Sequence, residues 1–148
     1  MCGANKAKSM NIEVRKQPHR IPCGAIRGGI QPVTLDAYTK GVNAALYSNA
    51  SGGSHGGDIY YMSVCSQDLR TRMLVEDVLG HGEQVSDISS WIYERLQDRM
   101  SSTDCAGVLW DLNQMVHRRG SAAITTGAVV CIDIDSTALY YSYAIPRS

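Results

Sequence analysis

Asp58-Ile59-Tyr60-Tyr61-Met62-Ser63-Val64-Cys65-Ser66, then Gln67-Asp68-Leu69-Arg70-Thr71, then Arg72-Met73-Leu74-Val75-Glu76-Asp77-Val78 is the stretch whose reading decides the fold. Ile59 to Ser66 and Arg72 to Val78 are rich in β-branched, aromatic and other apolar residues, which predicts two strands. The five residues between them suit an antiparallel hairpin. Alternation with period two puts Ile59, Tyr61, Ser63 and Cys65 on one face and Tyr60, Met62 and Val64 on the other. In that register Asp58 and Asp77 become neighbours although 19 positions separate them. Each is flanked by glycine, in His55-Gly56-Gly57-Asp58 and in Asp77-Val78-Leu79-Gly80-His81-Gly82.

Upstream, Val33 to Lys40 alternates apolar and polar residues, as a half-buried strand does. Residues 41–57 hold Gly41, Gly52, Gly53, Gly56 and Gly57 among Asn and Ser, and are read as a mobile loop opening onto Asp58. Residues 1–30 show little periodicity and are punctuated by Pro18, Pro22 and Gly28-Gly29, so they are read as a basic extension that becomes ordered only towards its end. The remainder, 31–148, is read as one domain.

Downstream, Val85, Ile88, Trp91, Ile92, Leu96 and Met100 recur at spacings of three and four, which predicts a long helix with one buried stripe. Glu83 suits its positive end. A second helix is predicted from about Asp104 to Arg119, capped by Thr103 or Asp104 and ended by Gly120, with Val108, Leu109, Leu112, Met115 and Val116 inward. Ala122 to Ile134 and Thr137 to Tyr143 form a last hairpin around Asp135-Ser136. The order of elements predicts an α+β fold with two long helices packed on an antiparallel sheet.

Fourteen basic and fourteen acidic residues cancel, so no global field draws the chain to nucleic acid or an anionic membrane. Residues 1–30 are nevertheless basic, with Lys6, Lys8, Arg15, Lys16, Arg20 and Arg27 against Glu13. This head is read as a solvated arm, with phosphate or an acidic partner as the alternative. Five scattered cysteines without a CxxC pair fit reduced thiols, with Cys65 and Cys131 as small buried hydrophobes. The absence of a leader-like apolar run or a spanning segment adds to the expectation of a cytoplasmic chain that does not enter a membrane.

Asp58, Asp77 and the backbone carbonyl of Val78 are candidate oxygen ligands for a magnesium or manganese ion, which prefers carboxylate, carbonyl and water. A pair of such ions activates water and clamps a phosphate for in-line attack. Asp beside Gly is also a common turn, so spacing alone leaves a structural role open. His81 is a candidate proton donor or orienting group beside the pair, or a backbone-bonded turn residue; His55 carries less signal, and His117 suits a helix C-terminus. The Tyr60-Tyr61 and Tyr140-Tyr141 pairs read as strand residues and not as a base-stacking platform. Neither GxxxxGK[ST] nor a GxGxxG after a strand occurs, so nucleotide binding is not expected.

Gly56-Gly57-Asp58-Ile59-Tyr60-Tyr61 followed by Leu74-Val75-Glu76-Asp77-Val78-Leu79-Gly80-His81-Gly82 resembles the SpoIIE-like bacterial branch of the PPM (type 2C) serine/threonine phosphatases, whose pattern is GGDxY, a short hairpin, then DVSGHG and a helix. The resemblance extends through Leu112-Asn113 and Ala122-Ala123-Ile124-Thr125-Thr126 and spans about residues 33 to 145. It implies an antiparallel β-sandwich flanked by helices, with a dinuclear manganese or magnesium centre between the sheets. By position, Asp77 resembles the aspartate bridging the metals, Val78 the carbonyl ligand and Asp58 the first carboxylate, while His81 would shape the turn beneath them.

Three departures qualify the likeness. Leu79 replaces a serine, and Glu76 stands where a small residue is usual. After Tyr143-Ala144-Ile145 the family's Ala-Gly-His-Pro-Pro, Asp-Gly pair and final aspartate have no counterpart. The resemblance therefore implies the first part of a C-terminally truncated domain that hydrolyses phosphoserine or phosphothreonine on a regulatory phosphoprotein, such as an anti-sigma-factor antagonist, with weak or no activity of its own. The alternative is a catalytically dead interaction module in a partner-switching pathway.

Overall fold

The computed structural model describes residues 17–50, 55–65, 67–80, 83–99, 102, 104–119 and 125–145. The elements in chain order are β1 (His19–Arg20), β2 (Ile26–Gly29), β3 (Val33–Tyr38), β4 (Asn43–Ser48), β5 (Asp58–Cys65), β6 (Arg70–Val78), α1 (Glu83–Gln97), α2 (Cys105–Arg118), β7 (Thr125–Asp133) and β8 (Ala138–Ala144). They form an α+β fold of two helices and two largely antiparallel sheets.

The hairpin read from the sequence is the centre of the larger sheet, whose order is β2-β5-β6-β7-β8. Its alternation sorts residues as expected. Ile59, Tyr61, Leu74, Val78, Val129 and Cys131 point to the helices and join Val85, Ile92, Leu96, Val108 and Leu112 in the main core. Met62 and Val64 point the other way and meet Ile21 and Ala37 beneath the smaller sheet, β1-β3-β4. Within that sheet β3 and β4 are antiparallel, and the short β1 runs parallel to β3.

Both helices form because apolar residues recur every three or four positions. In α1, Val85, Ile92 and Leu96 are buried, with Ile88 and Trp91 half-buried beside them. In α2 the buried set is Cys105, Val108, Leu109, Leu112 and Val116. Asp104 occupies the N-cap position but its side chain makes no capping hydrogen bond; Thr103, the other candidate cap, Met100 and Gly120 lie outside the described residues. Arg119 lies over the Trp91 ring, 4.7 Å from its centre, and links the two helices.

Three expectations are corrected. Residues 43–48, read as part of a loop, are β4: Val33 to Tyr38 of β3 pair with Ser48 to Asn43 residue by residue. Their alternation of half-buried and exposed positions is that of an edge strand, and its small residues hid the pattern. Order also begins earlier than the extension reading placed it, since β1 and β2 lie before residue 30 and Ile21 is almost fully buried. Lastly, Cys131 is not a free thiol but is joined to Cys105 by a disulfide, because the start of α2 seats on the middle of β7 with the two Cα atoms 6.5 Å apart. Cys23 and Cys65 are free.

The β5–β6 turn holds both Gln67 (φ 58°) and Asp68 (φ 67°) in the left-handed region. Glycine and asparagine tolerate this conformation better than glutamine does. Gln67→Gly is expected to stabilise the chain by about 0.5–1 kcal/mol. Urea unfolding checks this, and an unchanged or lower midpoint contradicts it.

Candidate functional site

Asp58 opens β5 and Asp77 is the penultimate residue of β6, and the register makes them direct partners across the ladder. Asp77 is in turn opposite Thr126 on β7, so Asp58, Asp77 and Thr126 form one row across three adjacent strands. All three lie on the face turned away from the helices and towards the smaller sheet. Both aspartates are exposed, and Thr126 is half-buried.

The row sits at the end of a cleft of about 400 Å³ between the sheets. Its walls are Leu46 and Tyr47 of β4, Tyr60 and Val75 on the floor, and Tyr143 and Ile145 from the β8 end. Among the described residues no Lys, Arg or His lines it. Like charges directly opposite on a ladder repel each other. Among the described residues the two carboxylates face one another without a basic neighbour in the cleft.

The flanking glycines have steric reasons. A Cβ on Gly57 would lie 2.6 Å from the Val78 carbonyl oxygen. Gly57 also accepts a hydrogen bond from the Val78 N–H at 3.2 Å, extending the pairing one step past Asp58. Gly80 has φ +129° and its Cβ position is 2.6 Å from Val85 Cγ2, so the strand turns into α1 there only because the residue is glycine. Ser89 of α1 donates from its hydroxyl to the Gly57 carbonyl at 3.3 Å and fixes this end of β5 to the helix.

The two aspartates singled out in the sequence are thus brought together. Val78, the third candidate ligand, is buried and follows Asp77, with its carbonyl against Gly57. His81 lies outside the described residues. His55 is placed elsewhere, in a depression beside Tyr93 and Glu94 of α1. The sequence reading missed Thr126 as the third member of the row and the aromatic walls from β4 and β8. The signal for Thr126 was present, because a β7 strand pairing with β6 brings a threonine opposite Asp77.

Glu76, next to Asp77, points to the opposite face and is buried among the helix-side residues, 6 % exposed. Its Oε2 has no hydrogen-bond partner among the described residues. Burial raises its pKa to about 7, against a smaller downward pull from a hydrogen bond with Thr125. Adjacent carboxyl groups therefore stand in different media, Asp77 in the open cleft and Glu76 in the core.

Asp58 and Asp77 are the carboxylates that would hold a hydrated magnesium or manganese ion, with water completing its shell. Among the described residues no group of three or more His, Cys, Asp or Glu gathers to hold a metal. A second ion therefore has no carboxylate set of its own there. Comparison of the chain with protein-family models, with curated proteins and with solved structures gives no match. No described helix is long and apolar enough to cross a membrane. The cytoplasmic expectation loses part of its support with the Cys105–Cys131 bond, because it rested in part on reduced cysteines.

Proposed function

We propose that the chain is a PPM-type, SpoIIE-like phosphatase domain acting on phosphoserine or phosphothreonine of a regulatory protein, with an incomplete metal centre and correspondingly weak activity. The observation that carries this reading is the facing pair Asp58 and Asp77, in a cleft between two sheets that no basic side chain lines among the described residues. The GGDxY and DV-x-GHG pattern puts the same two carboxylates at the positions the family uses. The fold supports the reading through its two facing sheets with helices on the outer face of one.

In the proposed chemistry Asp58 and Asp77 would hold the cation, and Thr126 would offer its hydroxyl to a phosphate oxygen. The cation, when bound, supplies Lewis acidity and a water of lowered pKa. The apolar walls from Tyr47, Val75 and Tyr143 flank the scissile group and suit the side chains beside a phosphorylated residue better than a free sugar phosphate. That the described residues supply one carboxylate pair is why turnover is expected to be slow.

Calorimetric titration with manganese tests the ligand assignment. The wild-type chain is expected to bind manganese, and Asp77→Asn to weaken binding at least about tenfold, or 1.4 kcal/mol. Manganese-dependent turnover of p-nitrophenyl phosphate is expected to be slow and to vanish in the same variant. A folded wild-type chain giving no heat with manganese overturns the metal site. Binding without turnover favours the second reading, an interaction module that recognises a phosphoprotein without hydrolysing it. That reading is favoured by one observation, the lack of a third clustered carboxylate among the described residues.

A further inference from the structure

The larger sheet ends on one side in β2, four residues long with Gly28-Gly29 and Arg27, which is short and poorly suited to pairing. At its other side, among the described residues, it ends in β8, Ala138-Leu139-Tyr140-Tyr141-Ser142-Tyr143-Ala144. This edge strand has no charge, proline or glycine, the devices by which exposed edges are commonly kept from pairing. Leu139, Tyr141 and Tyr143 alternate along the face opposite the helices and are each more than 60 % exposed.

The strand is also nearly symmetric about its middle residue. Laid antiparallel against a copy of itself and centred on Tyr141, it matches Ala138 with Ala144, Leu139 with Tyr143, Tyr140 with Ser142 and Tyr141 with its own counterpart. Residues directly opposite on an antiparallel ladder share a face. On one face this register therefore makes a continuous apolar row of Leu139–Tyr143, Tyr141–Tyr141 and Tyr143–Leu139. On the other it sets the bulky Tyr140 against the small Ser142. A two-fold interface requires such self-complementarity.

From this we propose that β8 is a homodimer interface, in which two copies of this chain pair through their β8 strands and join their five-stranded sheets into one continuous sheet. The occupant is a second copy because the match of large with small and apolar with apolar lies within the strand's own sequence. The edge of the smaller sheet, β4, offers no comparable match, since Asn43-Ala44-Ala45-Leu46-Tyr47-Ser48 paired with itself sets Ala44 against Tyr47 and brings no aromatic pair together. The inference is independent of the phosphatase reading and stands or falls separately from it.

Sedimentation velocity across a concentration series tests it. The wild-type chain is expected to be a dimer that dissociates on dilution. Tyr141→Lys places two ammonium groups opposite each other at the two-fold axis and is expected to weaken dimerisation by at least about tenfold with an unchanged circular-dichroism spectrum. The double variant L139E/Y143K is expected to stay dimeric, because the register places each new glutamate opposite the partner's new lysine. A wild-type chain that stays monomeric overturns the proposal, whether or not a foreign strand binds it. A Y141K dimer as tight as wild type overturns it too, since the contact would then lie elsewhere, β4 included. Should Y141K fail to fold, the double variant decides: monomeric, it overturns the register.

Discussion

Reduction of the Cys105–Cys131 disulfide is expected to lower the thermal midpoint of this chain by roughly 7–14 °C. The bond closes a loop of 26 residues between the first turn of α2 and the middle of β7. A loop of that size constrains the unfolded chain by about 3.5 kcal/mol on the chain-entropy estimate. For a protein of this size each kcal/mol moves the midpoint by roughly 2–4 °C. Calorimetric scans with and without a phosphine reductant measure the effect. Cys105→Ala is expected to reproduce the reduced midpoint within a small packing difference and to be insensitive to reductant. Thiol titration of the denatured, unreduced chain is expected to find at least two thiols fewer than the chain's five cysteines. A count of five, or a midpoint indifferent to reductant, removes the cross-link from the account of stability.

The second large effect concerns Glu76 and pH. Its carboxyl titrates near 7 in the folded chain because burial disfavours the charge, whereas an unfolded glutamate titrates about 4.5. Below pH 4.5 both states hold the proton and the residue adds no pH-dependent penalty. As pH rises from there to 7 the unfolded state loses its proton first, so folding is progressively penalised, and above 7 the whole penalty, about 3 kcal/mol, is present. Glu76→Gln is therefore expected to gain about 2–3 kcal/mol on wild type between pH 5 and pH 8, read by urea unfolding in the presence of a chelator.

Asp133 works in the opposite sense and at a lower pH. Its carboxyl is held below the usual range by hydrogen bonds from Arg70, with further help from the N–H groups of Ser136 and Asp135. Its contribution is therefore present above the unfolded carboxylate range and lost as pH falls through the folded pKa, below the window that isolates Glu76. Parallel wild-type and Glu76→Gln profiles from pH 5 to 8 would contradict the assignment.

The parts of the fold that were legible in the sequence are those whose pattern is local. Alternation in β5 and β6 defines both faces of the hairpin, and the short connection between them sets Asp58 against Asp77. The three-and-four spacing of Val85, Ile92 and Leu96, and of Val108, Leu112 and Val116, defines the inward stripes of α1 and α2. What was not legible depends on pairing at a distance. The β4 strand has its shape because β3 is alongside, and Asn43-Ala44-Ala45 alone resembles a loop as much as a strand. The Cys105–Cys131 bond joins a helix start to a strand centre, a proximity that only the docking of α2 on β7 creates. The cleft walls come from strands far apart in the chain, so the aspartate pair was visible before its surroundings were.

Glu76 and Asp77 are consecutive, yet the pleat sends one into the core and the other into the cleft. The β5–β6 turn thereby becomes an addressing device as well as a connection. Adding one residue to β6 between the turn and Glu76, with the turn-side pairing kept, would exchange the two addresses: Asp77 would enter the apolar layer under the helices and Glu76 would emerge opposite Asp58. The left-handed pair Gln67 and Asp68 and the Arg70–Asp133 ion pair at the far end of the ladder hold the chain in phase. Carboxylate identity at the cleft is thus determined some ten residues away, at a turn that never touches it.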